Sequence, residues 1–267
     1  MVTGALRAER VRLGYQERVV VDGLSVTVPD GELTVIVGPN ACGKSTLLRG
    51  LSRLMRPLDG TVLLDGKAIH RLPAKQVARE LGLLPQSPTA PDAITVADLV
   101  GRGRYPYQSL LRQWSPDDER AVTAAMAATG VADLGDQAVD ELSGGQRQRV
   151  WIAMVLAQET PLLLLDEPTT FLDIAHQLEV LDLCAGLRDG GRTVVAVLHD
   201  LNLACRYATH LVAMSRGEIV AEGPPAGIVT PDLIERLYGI ACVVIPDPET
   251  GAPLVVPRRT SPAAIQR

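Results

Sequence analysis

The chain has 267 residues, of which 46% are hydrophobic, enough to bury a sizeable core in one large domain or two small ones. No apolar run approaches the roughly 18 residues of a membrane-spanning helix, so no membrane span is expected. The net charge is −5 and no run of Lys and Arg occurs, which argues against nucleic acid as a main partner.

The first ten residues lack the uninterrupted apolar stretch of a secretory signal, so the expected compartment is the cytoplasm. The four cysteines lie far apart, without the paired spacing of a metal site or a small disulfide scaffold. They are expected to be thiols: Cys42, Cys184, Cys205 and Cys242.

Strands and helices alternate along most of the chain. Apolar, β-branched stretches bounded by turn residues predict strands at 19–28, 33–37, 61–64, 162–165, 193–198 and 211–214. Helical patterns lie at 45–54, 74–81, 174–188 and 201–208. This alternation predicts an α/β core with a largely parallel sheet.

From about residue 95 to residue 158 helix formers dominate, which predicts a helical insertion. Within it, Gly101–Tyr107 is rich in Gly and Pro and is interpreted as an exposed turn. A cap-plus-Pro helix start follows at Thr230-Pro231, and the Pro-rich tail 246–267 is expected to be partly flexible.

A glycine loop follows the strand at 33–37 and fits the pattern G-x-x-x-x-G-K-[ST]. Its residues are Gly38, Pro39, Asn40, Ala41, Cys42, Gly43, Lys44, Ser45 and Thr46. Such a loop turns backbone N–H groups toward phosphate oxygens, with Lys44 reaching the β- and γ-phosphates and Ser45 a magnesium ion. The alternative is a plain turn between strand and helix. Kinases, GTPases and many ATPases share the motif.

Cys42 lies at the start of the helix that follows this loop. A helix N-terminus lowers the pKa of a thiol, so Cys42 is predicted to be reactive and to be protected by ATP. The alternative is a small residue with a purely structural role.

Acidic and imidazole side chains follow two further strands. Asp166 and Glu167 end the strand at 162–165, and His199 follows the strand at 193–198. Because ligands bind at the carboxyl ends of parallel strands, Asp166 is predicted to hold magnesium and Glu167 to act as the general base. His199 is predicted to contact the γ-phosphate or the attacking water, although a lone histidine is as often structural.

A second candidate anion site precedes a long helical pattern. Ser143, Gly144, Gly145 and Gln146 place a serine and two glycines at the start of that helix. A simple Ser-Gly cap is the alternative. One nucleotide rarely needs two cradles in one domain, whereas a site shared between two copies would need both.

The chain resembles the nucleotide-binding subunits of ATP-binding-cassette (ABC) transporters, because three motifs occur together in that family's order. They are the glycine loop, the 142–146 segment and the strand ending in Asp166 and Glu167. The resemblance implies further roles. Tyr15 would stack on adenine, Gln86 would sense magnesium and the membrane partner, Asp173 would lie at a dimer seam, and His199 would be the switch histidine. From the residues alone, Tyr15 could also lie on a half-buried strand and Gln86 in a polar turn.

The resemblance implies a P-loop NTPase (RecA-like) α/β core with an antiparallel β-subdomain and an inserted helical subdomain. The division expected is a single ABC domain over 1–267, with core segments at about 1–87 and 160–240, the insertion at about 88–159 and a tail at 241–267. ATP and Mg²⁺ would lie between the glycine loop of one copy and the 143–145 segment of a second, in a head-to-tail dimer. The family's usual Ser-Ala-Leu-Asp reads Thr170-Phe171-Leu172-Asp173 here, so the packing at the seam is expected to differ.

Other segments resemble the ferric-siderophore importers of bacteria, and within them the ferric-enterobactin type. The segments are 101–106, 153–159, 166–173, 197–207 and 251–257. Such importers pair two ATPase copies at the cytoplasmic face of the membrane with separate permease chains and a substrate-binding protein. Arg102, Arg104, Tyr105 and Tyr107 would touch a permease loop or form a solvated turn. The alternatives are a cobalamin or haem importer and, less favoured, a soluble cassette ATPase outside transport.

Overall fold

The computed structural model describes residues 4–16, 18–109, 114–170 and 172–259. Twelve strands lie within these ranges: β1 Leu6–Tyr15, β2 Arg18–Val28, β3 Leu33–Val37, β4 Asp59–Leu64, β5 Lys67–Ala68, β6 Leu81–Leu84, β7 Leu162–Asp166, β8 Thr193–Val197, β9 His210–Ser215, β10 Glu218–Gly223, β11 Cys242–Pro246 and β12 Pro253–Pro257. The α-helices in the same ranges are α1 Lys44–Leu51, α2 Ala74–Glu80, α3 Val96–Gly101, α4 Pro116–Ala128, α5 Gly144–Ala157, α6 Ile174–Asp189, α7 Leu201–Tyr207, α8 Pro225–Ile228 and α9 Pro231–Tyr238.

The central sheet confirms the predicted α/β class. Its strand order is β10-β9-β3-β8-β7-β6, with every pair parallel except β9 with β10. All residues of β3, β7 and β8 are buried, which explains their continuous apolar runs. Their carboxyl ends meet at one edge of the sheet.

Successive residues of the central strands point into different cores. On β3, Leu33 and Val35 pack in one apolar cluster with the helical insertion, and Ile36 packs in another with α1 and β1. This alternation follows from the two-residue period of a strand. The sheet is therefore sandwiched between two cores, which fixes its edge rigidly.

A second, antiparallel sheet has the order β2-β1-β4-β5, in agreement with the expected β-subdomain. The strand predictions omitted β1. Its alternation of buried positions is interrupted by a bulge between Ala8 and Val11, where Arg10 has a φ of 47°. That extra residue breaks the period on which strand prediction depends.

The helical insertion is built from α3, α4 and α5, between β6 and β7. Ser115 caps α4 through a capping box with Asp118. The predicted exposed turn at Gly101–Tyr107 is wrong for Arg104, whose side chain is only 4% exposed. Arg104 Nε donates to Asp118 Oδ1 at 2.8 Å and Nη1 to Glu159 Oε2 at 2.9 Å, so Arg104 is not free to touch a permease.

The Pro-rich tail, expected to be partly flexible, forms part of a hairpin as far as Pro257. Strands β11 and β12 form an antiparallel hairpin in register from Cys242↔Pro257 to Pro246↔Pro253. Residues 260–267 lie outside the described ranges. In the described part of the chain, no helix has both the length and the apolar character needed to cross a bilayer.

Candidate functional site

The glycine loop joins β3 to α1 in a conformation that requires glycine. Gly38 has a φ of 151°, and a Cβ built there would lie 2.1 Å from the Met214 carbonyl oxygen. Gly43, the residue before α1, has a φ of 108° in the left-handed region. The loop therefore wraps tightly at the carboxyl edge of the sheet.

Helix α1 begins without a side-chain cap, because its N-cap residue is Gly43. Its N-terminus offers free N–H donors and a partial positive charge. Lys44 is buried and donates to the carbonyl oxygens of Gly38 at 2.9 Å and Pro39 at 3.0 Å. No carboxylate of the described residues forms an ion pair with Lys44, so its charge is available to an anion.

Asp166 and Ser45 form a pair of oxygen groups beside the loop. Ser45 Oγ donates to Asp166 Oδ1 at 3.0 Å, which joins the start of α1 to the end of β7. Burial raises the pKa of Asp166 despite the hydrogen bond from Ser45, which lowers it. A bound cation would stabilise the ionised carboxylate there.

Glu167 lies at the centre of the edge, is buried and has a φ of 55°. Its Oε1 lies 2.7 Å from His199 Nε2, and its Oε2 accepts from Gln86 Nε2 at 2.8 Å. Thr170 Oγ1 also donates to Oε2 at 3.3 Å. Three chain segments thus converge on one carboxylate, and Gln86, Glu167 and His199, all candidate site residues from the sequence, lie together.

A cavity of about 600 Å³ opens over this edge. Its lining includes Tyr15, which is 44% exposed and whose hydroxyl accepts from Arg49 at 3.0 Å. The complete lining is Tyr15, Arg18, Val20, Asn40, Ala41, Gly43, Lys44, Ser45, Thr46, Gln86, Glu167 and His199. An exposed aromatic ring, a free cation and uncapped amides suit a purine nucleotide.

Sequence reasoning missed two parts of this site. Arg18 and Val20 line the cavity because Tyr15 pairs with Arg18 across the β1–β2 hairpin. Recognising β1 as a strand would have placed both residues beside Tyr15. The sequence singles out Thr170 only as part of the Thr170–Asp173 segment, and its bond to Glu167 was not predicted.

The 143–146 segment and Asp173 do not line the cavity. Ser143 caps α5 by accepting from the Gln146 amide at 3.2 Å, while Gln146 Oε1 accepts from the Ser143 amide at 3.0 Å. Ser143 and Gly144 are exposed, and a Cβ built on Gly144 meets no atom within 4 Å. Asp173 caps α6 by accepting from the His176 amide at 2.9 Å. Phe171, expected to alter the seam, lies outside the described residues.

The prediction of a reactive Cys42 is wrong. Its side chain is buried in the apolar cluster behind the loop, and burial raises the pKa of the Cys42 thiol even though Lys44 lowers it. Desolvation of a thiolate outweighs the field of the helix N-terminus at this position. Cys42 contributes backbone to the loop and apolar volume to the core.

Comparisons with known proteins give one family. The sequence profile described as ABC transporter matches residues 21–170. The ferric enterobactin transport ATP-binding protein FepC of Escherichia coli (strain K12) is 59% identical over 260 residues, covering 97% of this chain and 96% of FepC. The probable siderophore transport system ATP-binding protein YusV of Bacillus subtilis (strain 168) is 54% identical over 267 residues, covering 100% of this chain and 97% of YusV.

Solved structures agree with the sequence relatives. A chain of an inward-facing ABC transporter assigned to the metal-chelate type superposes with a TM-score of 0.81 at 28% identity, covering 96% of this chain and 97% of the other. The dimeric bacterial cassette MJ0796 superposes with a TM-score of 0.74 at 26% identity, covering 82% of this chain and 98% of the other.

The central sheet and the glycine loop define a nucleotide-binding protein of the P-loop class. The length and identity of the matches narrow this class. The chain belongs to the ABC transporter family, as one of its ATP-binding ATPase subunits.

Proposed function

We propose that this subunit hydrolyses Mg²⁺-bound ATP between two copies of itself and thereby drives import of a ferric siderophore. The observation that carries the catalytic part is the bonding of one buried carboxylate, Glu167, to both His199 and Gln86. The likeness to FepC and YusV supports the cargo. Cobalamin and haem are the alternative cargoes.

The residues beside the loop fit a magnesium ion. Ser45 Oγ and Asp166 Oδ1 are hard oxygen donors, and Mg²⁺ in nucleotide sites takes only one or two protein ligands, with phosphate and water completing its shell. Ser45 and Asp166 would hold the ion, with Gln86 as a further ligand. When bound, the ion would neutralise negative charge on the phosphate groups.

Side chains and backbone amides of the protein would bind the nucleotide and activate the attacking water. Lys44 and the first-turn amides of α1 bind the phosphates, and Tyr15 stacks on the adenine. Glu167 orients the attacking water and accepts its proton, while His199 fixes the Glu167 carboxylate and contacts the γ-phosphate. Gln86 links the same carboxylate to the start of the helical insertion.

The second copy supplies the 143–146 segment. Ser143 and Gly144 are exposed at a helix start, and the segment lies outside the cavity, which leaves it available to a nucleotide held by another subunit. Asp173 would lie at the same seam. The dimeric cassette MJ0796 supports such an arrangement.

The domain division stays as predicted from the sequence, with core segments at about 1–87 and 160–240, an insertion at about 88–159 and a tail at 241–267. Permease chains would hold the ATPase at the cytoplasmic face of the membrane, and a substrate-binding protein would deliver the cargo to them. No contact of this subunit with the cargo is required.

The first test compares the parent with Glu167→Gln, which keeps the size of the side chain and removes the base. We expect the variant to bind ATP, to form an ATP-dependent dimer in light scattering, and to lose turnover by on the order of 100-fold. Turnover of Glu167→Gln at the parent rate would remove Glu167 from the mechanism.

The cargo is tested separately, in cells of the source organism that lack this gene and carry the parent or the Glu167→Gln copy. Uptake of radiolabelled iron with enterobactin is expected only with the parent. Normal iron uptake in the deletion strain, together with loss of cobalamin or haem uptake, would transfer the proposal to that cargo.

A further inference from the structure

Helix α7 begins immediately after His199, with Asp200 as its cap. Asp200 Oδ1 accepts from the Leu203 amide at 2.9 Å. With only seven residues in α7, its position and that of the preceding His199 depend on what the helix packs against.

The C-terminal hairpin holds α7 through Asn202 with a matched pair of bonds. Asn202 Oδ1 accepts from the Val255 amide at 2.8 Å, and Asn202 Nδ2 donates to the Val255 carbonyl oxygen at 3.2 Å. The side-chain amide of Asn202 thus bonds both backbone groups of Val255, as the backbone of a neighbouring strand would. It lies three residues beyond His199, on the first turn of the helix.

The other end of α7 is tied to the hairpin by an ion pair. Arg206 Nη2 and Nε donate to Asp247 Oδ2 at 2.6 and 3.2 Å, and the Asp247 side chain is only 6% exposed. Asp247 Oδ1 accepts from the amides of Glu249 and Thr250, which fixes the turn between β11 and β12. Charge-assisted bonds of this kind hold geometry well.

A two-stranded hairpin is not stable by itself and needs a surface to pack on. Here Val255 and Cys242 are buried, and the hairpin rests on α7 and α9. Its opposite face is open, with Val243 and Val256 more than a third exposed. Among the described residues, the side-chain hydrogen bonds between the hairpin and the rest of the protein go to α7.

We propose that the C-terminal hairpin positions His199, with Asn202 and Arg206 as positioning residues for ATP hydrolysis. This inference rests on the proposed catalytic role of His199. Held at both ends by the hairpin, α7 presents His199 Nε2 at 2.7 Å from Glu167 Oε1. Loss of either tie lets the start of α7 shift, whereas the phosphate loop is held between β3 and α1.

The test measures steady-state ATP hydrolysis of the full chain for Asn202→Ala and Arg206→Ala, beside His199→Ala. Because small misplacements of a catalytic group are costly, both variants are expected to lower kcat by about tenfold and to leave the KM for ATP unchanged. Arg206→Lys keeps a cation opposite Asp247 and is expected to recover most of the lost kcat. Should Asn202→Ala fail to fold, Asn202→Asp, which keeps the acceptor for the Val255 amide, takes its place.

Val256→Ser is the matched control, because it changes the hairpin on its open face. It is expected to keep the parent kcat and KM. Parent kcat in Asn202→Ala and Arg206→Ala, with kcat lost in His199→Ala, would overturn this inference alone. Parent kcat in His199→Ala would overturn the proposed role of His199 and the inference with it. A fall in kcat in Val256→Ser equal to that in Asn202→Ala would also overturn the inference.

Discussion

Glu167 and His199 are joined by a 2.7 Å contact between Oε1 and Nε2, although they lie 32 positions apart in the sequence. The contact exists because β7 and β8 are parallel neighbours and end at the same edge. Glu167 is buried and His199 is half-exposed, so the histidine is the more accessible member of the pair.

The first prediction concerns His199. Replacing it with alanine removes one of the bonds that orient Glu167, so kcat is expected to fall by on the order of 100-fold while ATP affinity is retained. ATP hydrolysis and equilibrium binding of a fluorescent ATP analogue measure the two quantities. His70→Gln, in the short 3-10 helix Ile69–Arg71 that follows β5, is the control and is expected to behave as the parent. Equal losses of kcat and affinity in His199→Ala would contradict an orienting role.

The second prediction concerns the thiols. All four cysteines are buried, and burial raises the pKa of Cys184 and of Cys205 to about 12. Maleimide labelling of the folded protein near neutral pH is therefore expected to be slow, with no protection by ATP, and to become fast for all four thiols in denaturant. Mass spectrometry of labelled peptides measures this. Rapid labelling of Cys42 alone would restore the expectation that the structure contradicts.

The third prediction concerns Arg104. Its guanidinium is buried among Asp118, Glu159 and the Tyr107 ring, with 4.2 Å from Cζ to the ring centroid. Arg104→Met leaves the Asp118 carboxylate buried without its charged partner, so the free energy of unfolding is expected to fall by about 3–5 kcal/mol. Urea denaturation measures the loss. Arg120→Ala, at a side chain that is 64% exposed, is expected to change stability by less than about 1 kcal/mol.

The fourth prediction concerns acid stability. Burial raises the pKa of Asp118, but hydrogen bonds from Ser115 and Arg104 outweigh it, so the net pKa is lowered. A carboxyl whose folded-state pKa is depressed stabilises the fold at neutral pH, and this contribution is lost as pH falls through that pKa. The stability difference between the parent and Asp118→Asn is thus expected to be largest near neutral pH and to shrink in acid. A difference that does not vary with pH would show that ionised Asp118 contributes nothing.

The sequence predicted which residues gather at the carboxyl edge of the sheet because its signals are local. Gly38–Thr46, Asp166 with Glu167, and His199 each follow a continuous apolar strand, and parallel strands bring such positions together. The helix predicted to reach residue 54 stops at Leu51 because Arg53 adopts a left-handed φ of 69°. The residue types in that stretch give no indication that the helix ends there.

What the sequence could not predict depends on distant partners. Arg104 sits in a Gly- and Pro-rich stretch typical of exposed turns, and its partners lie 14 and 55 residues away. The hairpin of β11 and β12 contains prolines that suggest a loose tail, yet Asn202 and Arg206 order it from α7. Burial of Cys42 depends on how the loop turns, which its spacing does not encode.

The uncapped start of α1 has a thermodynamic consequence. Helix α5 begins with a capping box formed by Ser143 and Gln146, whereas the N-cap residue of α1 is Gly43, which has no side chain to form one. A cap of this kind contributes about 1 kcal/mol, so α1 forgoes local stability that a phosphate group restores. Because a ligand that binds only the folded state stabilises it by mass action, the melting temperature of this protein should rise with the concentration of nucleotide, with α1 among the segments most strongly ordered.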